Sequence, residues 1–141
     1  MNSLRVKADL SSLEEVLAFV NQQLSSLGCT EKTRMQIEIA VEEIFVNVAS
    51  YAYSEDKQNS RSSYADINVK ECEDPRSVSV TISDNGIPFD PLAREDPDVT
   101  LSADQRKIGG LGIYMVKKSM DHVQYEYKDG QNILTFRKDL F

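Results

Sequence analysis

The segment Asp84-Asn85-Gly86-Ile87-Pro88-Phe89-Asp90-Pro91 is the stretch of this sequence from which the fold is most readily inferred. It comes directly after Val78, Val80 and Ile82, whose alternation with polar residues predicts a half-buried strand. Gly86 lets the backbone turn and be approached closely. A carboxylate at the end of a strand can accept a hydrogen bond from an exocyclic amine such as that of adenine. The segment therefore predicts a binding turn, although Asp-Asn-Gly also occurs in turns without a ligand.

The sequence on either side of this segment predicts an α+β domain. Alternating apolar residues predict further strands near 4–9, 65–69, 123–127 and 133–137. Amphipathic periodicity predicts helices over about 11–27, 30–53 and from 111 onward. Ser11 with Glu14 resembles a capping box, Thr30 is a further N-cap, and Asp129-Gly130 predicts a hairpin turn. The order β-α-α-β-β-loop-α-β-β is typical of a two-layer α/β sandwich, with a mixed, mainly antiparallel sheet and helices on one face.

Length and charge limit the classes of function. The 141 residues suit one domain over 1–141, and the net charge of −7 opposes binding to nucleic acid or to an anionic membrane. Residues 108–141 hold five Lys and Arg against four Asp and Glu, so an anionic ligand is expected at this end. There is no CxxC pair, and one histidine excludes a histidine-based metal site. Because no apolar run of signal-peptide or membrane-spanning length is evident, we expect a cytoplasmic protein.

A second motif lies inside the predicted long helix. Glu43 and Asn47 are four residues apart, which places both side chains on one face, away from the apolar stripe of Ile37, Val41 and Phe45. An amide oxygen beside a carboxylate suits magnesium, which takes few protein oxygens together with water and phosphate. The carboxylate is also suited to accept a proton from an attacking hydroxyl. An ordinary solvated helix face is the alternative.

The third motif is Gly109-Gly110-Leu111-Gly112-Ile113, immediately before a predicted helix. Backbone N–H groups at a helix N-terminus, together with the helix dipole, favour phosphate. Arg106 and Lys107 precede the glycines and Lys117-Lys118 follow them, so cations flank this position. Residues 92–108 show no sustained periodicity and are expected to form a lid beside the site. A flexible hinge before a helix is the alternative for the glycine motif.

In this order, the three motifs resemble those of the GHKL ATPase superfamily, whose members share the Bergerat ATP-binding fold. Glu43-x-x-x-Asn47 matches the N box, Asp84-x-Gly86-x-Pro88-Phe89-Asp90-Pro91 matches the G1 box, and Gly110-x-Gly112 matches the G2 box. The resemblance spans about residues 5–138. The form of the G1 box, and Gly-Gly-Leu-Gly-Ile before a helix, are similar to the anti-sigma-factor serine/threonine kinases of that superfamily.

The resemblance implies that the ligands are ATP and Mg²⁺. Glu43 would act as general base for a substrate serine, and Asn47 would coordinate the magnesium ion that bridges the ATP phosphates. Asp84 would bind the adenine amino group. The other residues implied to contact the nucleotide are Gly86, Pro88, Phe89, Gly109, Gly110, Leu111, Gly112, Ile113 and Thr135.

The function that the resemblance implies is that of an ATP-dependent protein serine kinase. Such a protein would phosphorylate an anti-sigma-factor antagonist on serine, bind and sequester a sigma factor, and form a homodimer. A non-catalytic module that regulates a partner protein by ATP occupancy is the main alternative. A histidine-kinase catalytic domain is not expected, because 141 residues leave no room for a dimerisation helix with a phosphoacceptor histidine. A structural domain without nucleotide is the remaining alternative.

Overall fold

The computed structural model describes residues 3–51, 63–73, 76–93 and 111–140. Within these ranges it contains three α-helices and five strands, in the order that the sequence predicts. They are β1 (Ser3–Lys7), α1 (Leu13–Ser25), α2 (Glu31–Tyr51), β2 (Tyr64–Cys72), β3 (Ser77–Asp84), α3 (Leu111–Ser119), β4 (His122–Lys128) and β5 (Gln131–Asp139). Short 3-10 turns lie at Leu10–Ser12 and Pro91–Ala93.

The five strands form one sheet in the order β1-β2-β3-β5-β4, and every neighbouring pair is antiparallel. The predicted two-layer α+β fold is therefore confirmed, although the sheet is antiparallel throughout the described residues and not mixed. The β3–β5 register sets Asp84 opposite Asn132, so the last residue of β3 lies beside the beginning of β5. This pairing places two polar residues at one end of adjacent central strands.

The core lies between the helices and one face of the sheet. Strand residues that alternate along each chain segment are buried on this face, as period-two patterning requires. They pack with the apolar stripes of the helices, and the largest fully buried side chains include Phe45, Phe136, Leu24, Ile37, Ile44, Ile67 and Ile82. The opposite face is polar and carries the Arg5–Asp66 ion pair at 2.7 Å. Over the described residues, no helix combines the length and apolar character needed to cross a membrane.

The helix ends agree with the sequence in one case and differ in another. Thr30 caps α2 as predicted, since its hydroxyl accepts a hydrogen bond from the Thr33 backbone N–H at 3.2 Å. The predicted Ser11–Glu14 capping box is wrong. Asp9 instead accepts the Ser11 N–H at 2.9 Å, and this local turn delays α1 until Leu13.

The hairpin turn between β4 and β5 is confirmed. Asp129 and Gly130 have φ values of 54° and 77°, the left-handed conformations that a tight two-residue turn requires. Gly28, at the end of α1, also has a positive φ of 71°. Cys29 and Cys72 are both free thiols, each partly buried, so neither takes part in a disulfide.

Candidate functional site

A cleft of about 330 Å³, open to solvent, lies where α2 passes the ends of β3 and β5. Its walls are mainly apolar, with a few polar side chains, which is the usual composition of a small-molecule site. The lining residues are Ile44, Asn47, Val48, Ile82, Asp84, Phe89, Pro91, Tyr125, Asn132 and Leu134. The structure therefore brings together residues of the N box and the G1 box, which lie almost forty positions apart in the sequence.

Asp84 is the most deeply buried charged residue of this cleft, with 2% of its surface exposed. Its Oδ1 atom accepts hydrogen bonds from the Gly86 backbone N–H at 2.9 Å and from Asn132 Nδ2 at 3.0 Å. Burial raises the pKa of Asp84, and the two hydrogen bonds oppose that rise. In the described part of the chain, Oδ2 receives no hydrogen bond. This second oxygen is thus available to a ligand in the cleft.

Asn132 is a site residue that the sequence did not reveal. It is 5% exposed and stands beside Asp84, where its amide also donates to the Ile87 carbonyl at 2.8 Å. Its Oδ1 accepts from the Phe89 backbone N–H at 2.9 Å and from the Tyr125 hydroxyl. Asn132 falls in the same alternation as the buried residues of β5. A polar residue at a position that this pattern makes buried is the sequence feature that could have identified it as a site residue. The last strand was expected to begin at Ile133, which left Asn132 outside it.

Thr135 is not brought to the cleft. It lies on the opposite face of the sheet, where its hydroxyl is 3.2 Å from that of Thr81 on β3. The cleft is lined instead by Asn132 and Leu134, because side chains alternate between faces along a strand. The structure therefore offers no contact between Thr135 and a ligand in the cleft.

The two polar residues of α2 lie at different places: Asn47 lines the cleft, and Glu43 contacts the start of α3. Asn47 lines the cleft and is 9% exposed. Glu43, one turn earlier and half-buried, packs against the backbone of Gly112. A Cβ atom added to Gly112 would overlap Glu43 Oε2 and lie 2.5 Å from its Cδ. The N box and the G2 box are therefore in direct contact through this glycine.

The remaining predicted contacts fall into three groups. Phe89 lines the cleft and the Gly86 N–H binds Asp84, whereas Pro88 is exposed beside them. Ile113 is 4% exposed and belongs to the hydrophobic core, and Leu111 begins α3. Gly109 and Gly110 lie outside the described residues. So do Arg106 and nearly all of the expected lid over 92–108, of which 92 and 93 are described.

Comparison with known proteins identifies the same type of domain. Residues 6–138 match the model of the histidine kinase-like ATPase domain. The serine-protein kinase RsbW of Bacillus subtilis is 31% identical, over 77% of this chain and 67% of its own length. The serine/threonine-protein kinase BtrW of Bordetella bronchiseptica is 28% identical, over 74% of this chain and 69% of its own.

A solved structure supports the fold independently. The crystal structure of the RsbU and RsbW domains of Rv1364c from Mycobacterium tuberculosis superposes with a TM-score of 0.64 at 15% identity. The match covers 99% of this chain and 33% of that one, so this chain spans a third of the larger protein. At this identity the superposition is evidence for the fold alone.

Motifs, topology and relatives thus agree, and the predicted GHKL membership is confirmed. The cleft that contains Asp84 and Asn47 lies within the residues that the family model matches. The chain belongs to the histidine kinase-like ATPase domain family and, within it, to the group of the RsbW-type serine-protein kinases.

Proposed function

We propose that this protein is an ATP-dependent serine kinase that phosphorylates an anti-sigma-factor antagonist and, as an anti-sigma factor, sequesters a sigma factor. The observation that carries the proposal is the buried Asp84 carboxylate, whose Oδ2 is available inside an apolar cleft. Glu43 lies one helical turn before Asn47 on α2 and contacts Gly112 at the start of α3. The kinase relatives agree with this reading, since their names describe serine or serine/threonine kinases.

The cleft suits an adenine base. Phe89, Ile82 and Leu134 provide apolar surface for a planar ring, and burial of that surface favours binding. Asp84 Oδ2 is positioned among them to accept a hydrogen bond from the exocyclic amine. A charged acceptor strengthens such a bond, particularly in a site that excludes water.

The phosphates would extend from the base toward Asn47 and the start of α3. The nine residues of α3 form a helix whose N-terminal N–H groups and dipole favour anionic oxygen. Asn47 offers one neutral oxygen, which fits a magnesium ion that keeps several waters and phosphate oxygens. When bound, magnesium neutralises negative charge on the transferring phosphoryl group.

The transfer step requires a proton acceptor for the substrate hydroxyl, and we assign this role to Glu43. The serine Oγ would form a bond to the γ-phosphorus while the bond from that phosphorus to the β–γ bridging oxygen breaks. Glu43 would take the hydroxyl proton, and ADP would leave with the bridging oxygen. Catalysis of this kind depends on position and charge more than on covalent chemistry. The contact with Gly112 holds Glu43 at the beginning of α3, where the phosphates are expected.

A transfer assay tests this function. Wild-type protein is incubated with magnesium, ATP labelled at the γ-phosphate and a purified anti-sigma-factor antagonist. We expect label on one serine of the antagonist and none when that serine is replaced by alanine. ATP binding without any labelled partner would overturn the kinase assignment and would favour the module that regulates by nucleotide occupancy.

The assembly is a separate part of the proposal. We expect a cytoplasmic homodimer that forms a complex with a sigma factor, as the resemblance implies. Light scattering of the purified protein, alone and with the sigma factor, measures both associations. A monomer that forms no complex at micromolar concentration would contradict this part and leave the kinase assignment to be judged on its own assay.

A further inference from the structure

Asn132 is the most completely hydrogen-bonded side chain of the cleft. Its Nδ2 atom donates to Asp84 Oδ1 at 3.0 Å and to the Ile87 carbonyl at 2.8 Å. Its Oδ1 atom accepts from the Phe89 N–H at 2.9 Å and from the Tyr125 hydroxyl. A primary amide has two N–H donors and two acceptor lone pairs, so the hydrogen-bonding capacity of Asn132 is filled.

These four partners permit one orientation of the amide. If the group were flipped, its oxygen would face Asp84 Oδ1 and the Ile87 carbonyl, and its NH₂ would face the Phe89 N–H. Each of those contacts would place like partners together in a buried site, where unsatisfied groups are costly. The orientation therefore commits Asn132 to donate to Asp84.

This donation leaves Asp84 with one oxygen for a base. Oδ1 already accepts from Asn132 and from the Gly86 N–H, which occupies it. A carboxylate with both oxygens free can accept two parallel N–H donors, as it does from a planar fork. With Oδ1 taken, Asp84 is suited to a base that presents one donor group.

Adenine and guanine differ in this respect. Adenine presents one amino group on its pairing edge, and Oδ2 alone can accept it. Guanine presents adjacent N1–H and N2–H donors, which two carboxylate oxygens accept in parallel; Oδ2 alone would have to accept both at poorer angles, which weakens the pair. We infer that Asn132 is a specificity-determining residue, which favours adenine over guanine by occupying Asp84 Oδ1. This inference rests on the function proposed above.

Nucleotide binding to the unaltered protein gives the first test. Dissociation constants are measured by calorimetry for ATP, GTP and inosine triphosphate, which is the guanine nucleotide without its 2-amino group. We expect ATP to bind most tightly, and GTP and inosine triphosphate to bind equally within about twofold. If GTP binds more than about fivefold more tightly than inosine triphosphate, Asp84 accepts both guanine donors and the inference is overturned.

The variant Asn132→Leu gives the second test, since leucine has a similar size and donates nothing. We expect the preference for ATP over GTP to fall about tenfold, and GTP to become about fivefold tighter than inosine triphosphate. Tyr125→Phe is the matched control, because it removes one partner of Asn132 while the donor to Asp84 remains. It should change the affinities for all three nucleotides by the same factor.

The outcomes separate this inference from the proposed function. A purely structural role for Asn132 predicts that Asn132→Leu weakens ATP and GTP equally, and that result would overturn the inference. If Asn132→Leu does not fold, the comparison of GTP with inosine triphosphate on the unaltered protein still decides. Failure of the unaltered protein to bind ATP at all would instead overturn the proposed function.

Discussion

Burial of the Asp84 carboxylate is unfavourable for folding, and the same carboxylate is the proposed acceptor for the adenine amine. It is 2% exposed and has no cationic partner within hydrogen-bond distance among the described residues, so its charge is supported only by neutral donors. Burial of a carboxylate is unfavourable unless hydrogen bonds compensate. Two donors compensate at Oδ1, and a bound amine would complete the set at Oδ2. Asp84 is thus the proposed acceptor for the ligand, and its Oδ2 atom carries that role.

The variant Asp84→Asn separates these two properties. The Oδ1 atom of the introduced asparagine can still accept from the Gly86 N–H and Asn132, whereas an NH₂ group in the place of Oδ2 opposes a ligand amine. We expect ATP affinity to fall about 10- to 100-fold, the value of a hydrogen bond to a charged group. The melting temperature should be unchanged or higher. Calorimetry and a thermal melt measure both, and a variant that binds ATP normally would contradict the role of Asp84.

The raised pKa of Asp84 predicts opposite effects of pH on stability and on binding. The folded state holds the proton at higher pH than the unfolded chain, so this group contributes stability that is present at low pH. That contribution is lost as pH rises from the ordinary aspartate range through the raised pKa. ATP affinity should change in the other sense and fall as pH decreases through the same range, because a protonated Oδ2 does not accept. Binding titrations against pH, with Asp84→Asn as the control that lacks this component, check the sign.

At the scale of single residues, the sequence predicts which residue types lie at the cleft better than it predicts which side chains hydrogen-bond to one another. Asp84 and Asn47 were expected at a ligand site and both line the cleft. Asn132 was missed because its importance arises from the β3–β5 register, which is a long-range property. The same register explains why Thr135, three residues further along β5, faces the other side of the sheet.

At the scale of elements, the contact between α2 and α3 is the feature most directly related to the proposed transfer step. Glu43 occupies the space where any residue other than glycine at position 112 would place its Cβ atom. Alanine at that position would force the carboxylate to move. The absence of a side chain on Gly112 therefore lets the proposed base approach the first turn of α3.

The variant Gly112→Ala tests this arrangement. We expect kcat for phosphoryl transfer to fall about 10- to 100-fold, as displacement of a catalytic group by about an ångström does. The KM for ATP should change less than kcat, since the cleft around Asp84 is not altered. Steady-state kinetics give both values. An unchanged kcat in a folded variant would show that the position of Glu43 against Gly112 does not matter to the reaction.

The β4–β5 turn allows a prediction about stability without any contribution from packing. Gly130 has a φ of 77° and no atom within 4 Å of an added Cβ, so the effect of alanine is conformational strain alone. We expect Gly130→Ala to lower the free energy of unfolding by about 1 kcal/mol. Gly130→Asn should lose less, because asparagine tolerates this conformation. Denaturant unfolding measures both variants, and equal stability of Gly130→Ala and the parent would exclude the strain.

The elements themselves were largely predictable, because periodicity, glycines and turn residues act locally. The Asp129-Gly130 turn and the Thr30 cap are found where the sequence places them. The beginning of α1 was wrong, since the Asp9 side chain competes for the Ser11 N–H and its effect is not visible in a capping-box pattern.

At the scale of the whole molecule, the family model matches residues 6–138. This range contains nearly all of the sheet, the residues that line the cleft and the three described helices. The net charge of −7 opposes a free polyphosphate, so bound magnesium would assist the binding of ATP as well as its chemistry. The family match and the kinase relatives together indicate a protein that acts on other proteins with ATP. In the proposed function, the Asp84 cleft recognises the nucleotide and Glu43 serves as the base.

We assign to Glu43 the role of base in phosphoryl transfer to a protein serine. The most direct test compares Glu43→Gln with Glu42→Gln, a matched change at the exposed neighbour on the same helix. With magnesium, labelled ATP and the antagonist, we predict that Glu43→Gln transfers at least about 100-fold more slowly while it binds ATP as the parent does. Glu42→Gln should transfer at the parent rate. Equal transfer by Glu43→Gln and the parent would contradict the assignment of Glu43 as the base.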